Sequence, residues 1–325
     1  MRAVHLFAGP GGLELGALEA GVDGVGIELD PNAVATRLAA GLATKHGDVS
    51  NYGPADFPDA TVLTAGPPCQ TFTVAGGGAG RRELALVLDG VKELATRQPV
   101  NLALFGDERT GLVLEPLRWV LDALDAGRPY SAIVLEQVPA VLPVWDAVAD
   151  VLCLEGYNVA VGVLCTEQFG VPQTRRRAVL VARLEGLVAL PQPSRRLYRL
   201  GVPQDAGDGR LQPWRSMGDV LPHRGPFTVI SNYGTGGDPK RRGRRTHLEP
   251  AFTVTGKISR LRLVDPDGRE LDRLTPGEAG QLQGFPADWP WSGKDVAQQV
   301  GNACPVQLAA ALAHAATAPV LEAAA

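Results

Sequence analysis

Two consecutive prolines constrain how the first half of this chain can be built. Pro67-Pro68 directly follow Val62-Leu63-Thr64-Ala65-Gly66, a short β-branched and apolar run. Such a run reads as a buried strand. Proline has no amide hydrogen to give to a strand ladder, so the strand must stop at Gly66. Cys69 then stands just past its carboxyl end, where open α/β sheets bind their ligands. Paired prolines also stiffen the backbone, which would aim the thiol at low entropic cost. A lone cysteine is most often a small buried hydrophobe. Cys69 therefore counts as a nucleophile only if other groups converge on it.

The same punctuation recurs along the chain. Ala3-Val4-His5-Leu6-Phe7 reads as a first strand, Ala8-Gly9-Pro10-Gly11-Gly12 as a glycine-rich turn, and residues 13–20 as a helix. Strand, glycine turn and helix make a nucleotide-type cofactor loop. It is not the dinucleotide fingerprint, because Glu14 takes the position of the third glycine. Val25-Gly26-Ile27-Glu28-Leu29 reads as a second strand, and Glu28 is placed to take ribose hydroxyls. Asp30 is a natural N-cap with Pro31 in the first turn. Asp48, in Gly47-Asp48-Val49, is a candidate acceptor for an adenine amino group.

Gly76-Gly77-Gly78-Ala79-Gly80 reads as a flexible loop beside Cys69, followed by a helix over 83–96, a polar turn over 107–111 and a helix over 112–124. Ser131-Ala132-Ile133-Val134-Leu135 is another buried strand, with Glu136 at its carboxyl end. Strands follow at 157–164 and 178–182. The period-two geometry of a strand puts Arg175 and Arg177 on one face and Arg176 on the other.

Regular alternation stops near residue 185. Prolines, glycines and arginines take over, and Ala251-Phe252-Thr253-Val254-Thr255 reads as a short strand among them. Residues 187–270 hold 15 Arg and Lys against 8 Asp and Glu, a net of +7 that leaves −11 for the rest of a chain totalling −4. An acidic body with a basic insert points to a polyanionic partner. Order returns after Leu271, with Thr275-Pro276 as a helix start and an alanine-rich final helix. This divides the 325 residues into an α/β body over 1–184, a small irregular β-rich insert over 185–271, and a return over 272–325. The four cysteines form no C-x-x-C pair, which argues against zinc and a disulfide framework and for a reducing compartment. With no leader-like segment and no membrane-length apolar run, the expected location is the cytoplasm.

Taken together, the motifs resemble the DNA (cytosine-5)-methyltransferase family over residues 3–315. Phe7-Ala8-Gly9-Pro10-Gly11-Gly12 is similar to its cofactor loop and Pro67-Pro68-Cys69-Gln70 to its nucleophile motif. Glu136-Gln137-Val138 is similar to its Glu-Asn-Val motif, and Gln173, Arg175 and Arg177 to its Gln-x-Arg-x-Arg motif. Residues 274–286 and Gln299-x-Gly301-Asn302-Ala303 are similar to its last two motifs.

The resemblance implies a Rossmann-like methyltransferase sheet with a smaller target-recognition domain at the insert. It implies S-adenosylmethionine as cofactor, held by Phe7, Ala8, Gly9, Gly11, Gly12, Glu28, Leu29, Asp48, Val49, Pro67, Leu112, Asn302 and Ala303, with no metal. Cys69 would attack C6 of a flipped-out cytosine, assisted by Glu136, Arg175 and Arg177. The implied partner is double-stranded DNA, with a cognate restriction endonuclease in the cell and a monomeric enzyme. Three features depart from the pattern: His5 replaces the usual aspartate, Gln137 the usual asparagine, and residues 76–107 form a longer catalytic loop. The alternatives are the tRNA-methylating branch, a catalytically inactive DNA-binding homologue and, less compatible with Glu14 and the Pro-Pro-Cys-Gln run, a Rossmann dehydrogenase.

Overall fold

In a computed structural model of the chain, residues 1–68, 72, 83–231 and 242–318 are described. Cys69, the glycine run at 76–80, and Lys240 and Arg241 of the basic run lie outside them. The first strands are β1 (Arg2–Leu6), β2 (Asp23–Glu28), β3 (Thr44–His46), β4 (Val62–Ala65) and β5 (Ala132–Gln137), all mutually parallel. They are joined by β6 (Asn158–Cys165) and β7 (Arg176–Arg183), where β7 runs antiparallel to both β5 and β6. The order is β3-β2-β1-β4-β5-β7-β6. The chain steps outward from β1 to β3, then returns to β4 on the other side of β1. The gap between β1 and β4 is thus the switch point, where such sheets leave room for a ligand.

Both faces of the sheet are covered, and strand alternation sorts residues between them. Val4, Leu6, Leu63, Ala65, Ile133, Leu135, Leu180 and Ala182 point into the larger core. After α2 (Pro31–Ala39), which links β2 to β3, that core includes residues of α3 (Leu84–Ala95), α4 (Glu115–Asp125) and α5 (Leu142–Leu154). The alternate residues Ala3, Val62, Ala132, Val134, Val179 and Val181 face the opposite core. There α1 (Gly12–Glu19) packs with the alanine-rich terminal helix, here α8 (Val306–Thr317). A Cβ on Gly12 would stand 2.2 Å from the Cys304 carbonyl oxygen, so only glycine lets α1 approach this close.

The longer loop expected over 76–107 is partly helix: α3 buries Val87 and Val91 in the main core. The helix expected from Leu112 starts at Glu115, after a 3-10 segment Glu108–Leu114.

The second sheet is antiparallel, ordered β11-β10-β8-β9. Its strands are β8 (Thr228–Ile230), β9 (Arg244–Thr246), β10 (Arg262–Val264) and β11 (Glu270–Leu271). The strand expected at 251–255 is not one. Ala251 makes a single bridge to Gln173, and the segment is held by side chains instead. The return from residue 272 serves both sheets. Leu274, Ala279 and Leu282 of α6 (Pro276–Leu282) and its lead-in, with Val300 of α7 (Val296–Asn302), share a core with Phe227, Val229 and Leu263. Of the helices in this return, α8 is the one that packs on β5 and β7 of the large sheet. Among the described residues no helix is long and apolar enough to cross a membrane.

Candidate active site

The parallel strands end along one cleft of about 540 Å³, within the range of small-molecule sites. One end is built by the loops after β1 and β2. Phe7 has φ +55, Gly9 φ +54 and Gly11 φ +107, so the chain turns sharply after β1. Phe7 is one of two described non-glycine residues with positive φ, and such outliers gather at ligand sites. Glu28 Oε2 accepts from Gly9 N at 2.7 Å and Oε1 from Asp30 N at 2.7 Å. Its carboxylate therefore fixes both loops and keeps further lone pairs for hydroxyls. Ile27, Leu29, Pro31, Val49 and Leu112 add apolar surface for a flat ring. Asp48 caps the 3-10 turn Val49–Asn51 and binds Ser50 N and Oγ through Oδ1.

The other end carries Pro67, Pro68, Glu136, Gln137 and Arg177. Arg177 Nε stands 2.5 Å from Glu136 Oε1, and both residues are buried. The N–H is not aimed at that oxygen, so charge holds the pair, and among the described residues Oε1 has no aligned hydrogen-bond donor. Arg177 is anchored through Nη1, which donates to the Arg176 carbonyl at 2.7 Å. Gln137 donates to the Pro67 carbonyl at 2.6 Å and accepts from Val138 N. Of the other cysteines, Cys304 is buried, and burial pushes its thiol well above the ordinary range. That makes it a poor nucleophile.

Phe7, Gly9, Glu28, Leu29, Asp48, Val49, Pro67, Leu112 and Asn302 thus line one cleft with Glu136 and Arg177. Ala8, Gly11, Gly12 and Ala303 do not line it. Ala8 and Ala303 are buried, Gly11 shapes the turn, and Gly12 admits the Cys304 backbone.

Arg175 is also turned elsewhere. Its Nη1 donates to the Val254 carbonyl at 2.7 Å and Nη2 to the Gly301 carbonyl at 3.0 Å. Gln173 donates to the Leu282 carbonyl and the Gln283 side chain and accepts from Val254 N. Thr253 Oγ1 donates to the Thr174 carbonyl. The Gln-x-Arg-x-Arg stretch therefore places Arg177 in the cleft and spends Gln173, Thr174 and Arg175 on joining β7, the 251–256 segment and α7. The junction is tight: a Cβ on Gly301 would lie 2.0 Å from Gly256 N.

Residues in the cleft that the sequence left unassigned include Pro10, Arg109, Gln298 and Gln299. Gln299 stood in a motif but reaches the site only because Thr36 and Ser292 hold its amide. Arg109 comes from the polar turn, where Asp107 clamps it at 2.6 Å. His5, at the usual aspartate position, lies inside the sheet and pairs its Nδ1 with Thr64 Oγ1 at 2.8 Å. Burial, with Arg37 nearby, pushes its pKa down to about 3, so it is neutral.

The basic insert is less outward than its charge implied. Arg245 lies between the rings of Tyr198 and Phe252, with its guanidinium carbon 4.7 and 4.3 Å from their centroids. It donates to Thr174 Oγ1 and to the Pro250 and Ala251 carbonyls. Arg195 and Arg196 donate to backbone carbonyls, and Arg224 grips Glu278 through two nitrogens. Arg199, Arg244, Lys257 and Arg260 are exposed.

The sequence pattern of the C-5 cytosine-specific DNA methylase family matches residues 1–104 and 228–318. The chain is 28% identical to the type II methyltransferase M.NlaX of Neisseria lactamica, over 96% of this chain and 95% of that one. It is 30% identical to the type II methyltransferase M.AplI of Arthrospira platensis, over 95% of this chain and 84% of the other. In fold it is similar to the S. pombe Dnmt2 methyltransferase, with a TM-score of 0.61 at 18% identity and 97% of each chain covered. The cleft with its ion pair, the glycine turn and these likenesses agree: the chain belongs to the C-5 cytosine-specific DNA methylase family.

Proposed function

We infer that this protein methylates C5 of a cytosine in duplex DNA through a covalent bond between Cys69 and C6, as the modification half of a restriction–modification pair. The observation that carries the reading is the single cleft running from Glu28 to the Glu136–Arg177 pair, with Pro67 and Pro68 between. The residues fit S-adenosylmethionine: apolar side chains for the adenine, Glu28 for the ribose, and the turned backbone at Phe7 and Gly9 for close approach. When bound, that cofactor supplies an electrophilic methyl group.

The protein's part is to make C5 able to accept it. Cytosine C5 is a weak nucleophile. Addition of the Cys69 thiolate at C6 makes C5 enamine-like. Negative charge then builds at N3 and O2. Glu136 meets the N3 edge, and Arg177 stabilises the developing charge beside it. Loss of the C5 proton after methylation expels the thiol and restores the ring. A stacked base hides the ring faces this requires, so the target must be flipped out, at a cost of a few kcal/mol. Exposed Lys and Arg of the insert would hold the duplex through its phosphates. The type II names of the relatives support a modification role beside a restriction endonuclease.

A tritiated-methyl assay on duplex DNA and on tRNA separates this reading from the tRNA-methylating alternative. Bisulfite sequencing of DNA from expressing cells reports the site. Cys69→Ser is expected to abolish transfer while keeping cofactor affinity. Full transfer by that variant ends the Cys69 assignment.

A further inference from the structure

β4 and β5 pair in parallel as far as Ala65 and Leu135. Counted on in the same register, Pro67 stands level with Gln137, beyond the last ladder bond. The backbone cannot extend the ladder here, because Pro67 and Pro68 have no amide hydrogen to give. The Pro67 carbonyl still needs a donor in this buried place. Gln137 Nε2 supplies it at 2.6 Å, while Gln137 Oε1 is held in turn by Val138 N. The side chain is 3% exposed and lines the cleft. Both ends of its amide are thus fixed, one to the chain just past β4 and the other to the chain just past β5.

We propose that Gln137 is a positioning residue for the nucleophile: its amide replaces the missing ladder bond and sets where the chain leaves β4 toward Cys69. The proposal rests on Cys69 being the nucleophile. Only Pro68, whose φ is locked, lies between the clamped carbonyl and Cys69. The same residue follows Glu136 on β5, so one amide ties the strand bearing the carboxylate to the loop bearing the thiol. Its length matters to this role. Asparagine, one methylene shorter, loses about 1.5 Å of reach from a backbone that β7 fixes by pairing Gln137 with Ala178.

The test is covalent trapping on duplex DNA carrying 5-fluorocytosine at the target site, in the presence of S-adenosylmethionine. Wild type, Gln137→Leu and Gln137→Asn are compared, with S-adenosylhomocysteine affinity measured in parallel. A misplacement of about 1 Å costs roughly 100-fold in rate. Gln137→Leu is therefore expected to form the adduct 10- to 100-fold more slowly, with cofactor affinity within twofold of wild type. Gln137→Asn is expected between the two, and it carries the test if Gln137→Leu does not fold. Trapping at the wild-type rate by either variant overturns the positioning role while leaving Cys69 in place. No adduct with wild type overturns the Cys69 assignment, and the positioning role falls with it.

Discussion

The two sheets use charged residues in opposite ways. Around the parallel sheet, the groups that line the cleft sit at strand ends and in the loops that follow, where the topology leaves them facing a gap. Glu28 and Glu136 are each the last or next-to-last residue of a strand. Around the small antiparallel sheet, many of the arginines face inward and tie irregular backbone together. Arg245 alone reaches Thr174, Pro250 and Ala251. A parallel sheet satisfies its own backbone through its ladder, so its charged residues are released for ligands. An insert of short strands and long loops leaves carbonyls unpaired, and arginine, with its fork of donors, pairs them. A basic insert is therefore partly scaffold, and its net charge overstates how much positive charge faces outward.

The sharpest way to break this contrast is Arg245→Ala. It takes the donor from the buried Pro250 carbonyl and one of several from the Ala251 carbonyl, and it empties the slot between Tyr198 and Phe252, so a stability loss of about 2 kcal/mol is expected. Arg245→Lys should rescue little, because a lysine cannot reproduce the fork or the stack. Chemical denaturation measures both. An unchanged unfolding midpoint combined with weakened DNA binding would instead turn Arg245 outward.

On the other side of the contrast, Glu28→Ala should lower affinity for S-adenosylhomocysteine about 100-fold by calorimetry. It removes the ribose acceptors and frees the Gly9 and Asp30 amides that Glu28 orients. Affinity within threefold of wild type would take Glu28 out of the cofactor site.

His5 sharpens the contrast from within the large sheet, where it is fully buried and neutral. Its pKa is near 6.5 in the unfolded chain and pushed down to about 3 when folded. Protons therefore favour the unfolded state, and stability falls as pH drops below about 6.5 toward 3. Between pH 7 and 5 this amounts to about 2 kcal/mol, which a His5→Asn variant should not lose. Equal pH slopes for the two proteins would contradict a neutral buried His5.

The smallest effect is expected from the exposed pair Lys257 and Arg260. Replacing both by alanine should leave thermal stability unchanged and flatten the salt dependence of DNA binding by about 2 in log–log slope. An unchanged slope would place the phosphate contacts elsewhere on the insert.

Much of this protein was determined by local chemistry that the sequence carries openly. Alternation of Val, Ile, Leu and Ala sorts each strand's residues to two cores. Prolines and glycines stop β4 and turn the chain after β1, and acids stand where strands end. These signals depend on neighbours a few residues apart, so they can be read without the fold. What only the tertiary structure decided are partnerships across long separations. Period-two spacing groups Arg175 with Arg177, but only the seating of Val254 and Gly301 gives Arg175 to the junction with the 251–256 segment and α7 and leaves Arg177 in the cleft. Gln299 and Arg109 enter the site because Thr36, Ser292 and Asp107 aim them. Gln137 reads in the sequence as a departure from a motif, and only the fold pairs its amide with the Pro67 carbonyl. The physical reason is the same in each case. Periodicity tells which way a side chain points, but a hydrogen bond needs both ends, and the second end is chosen by packing.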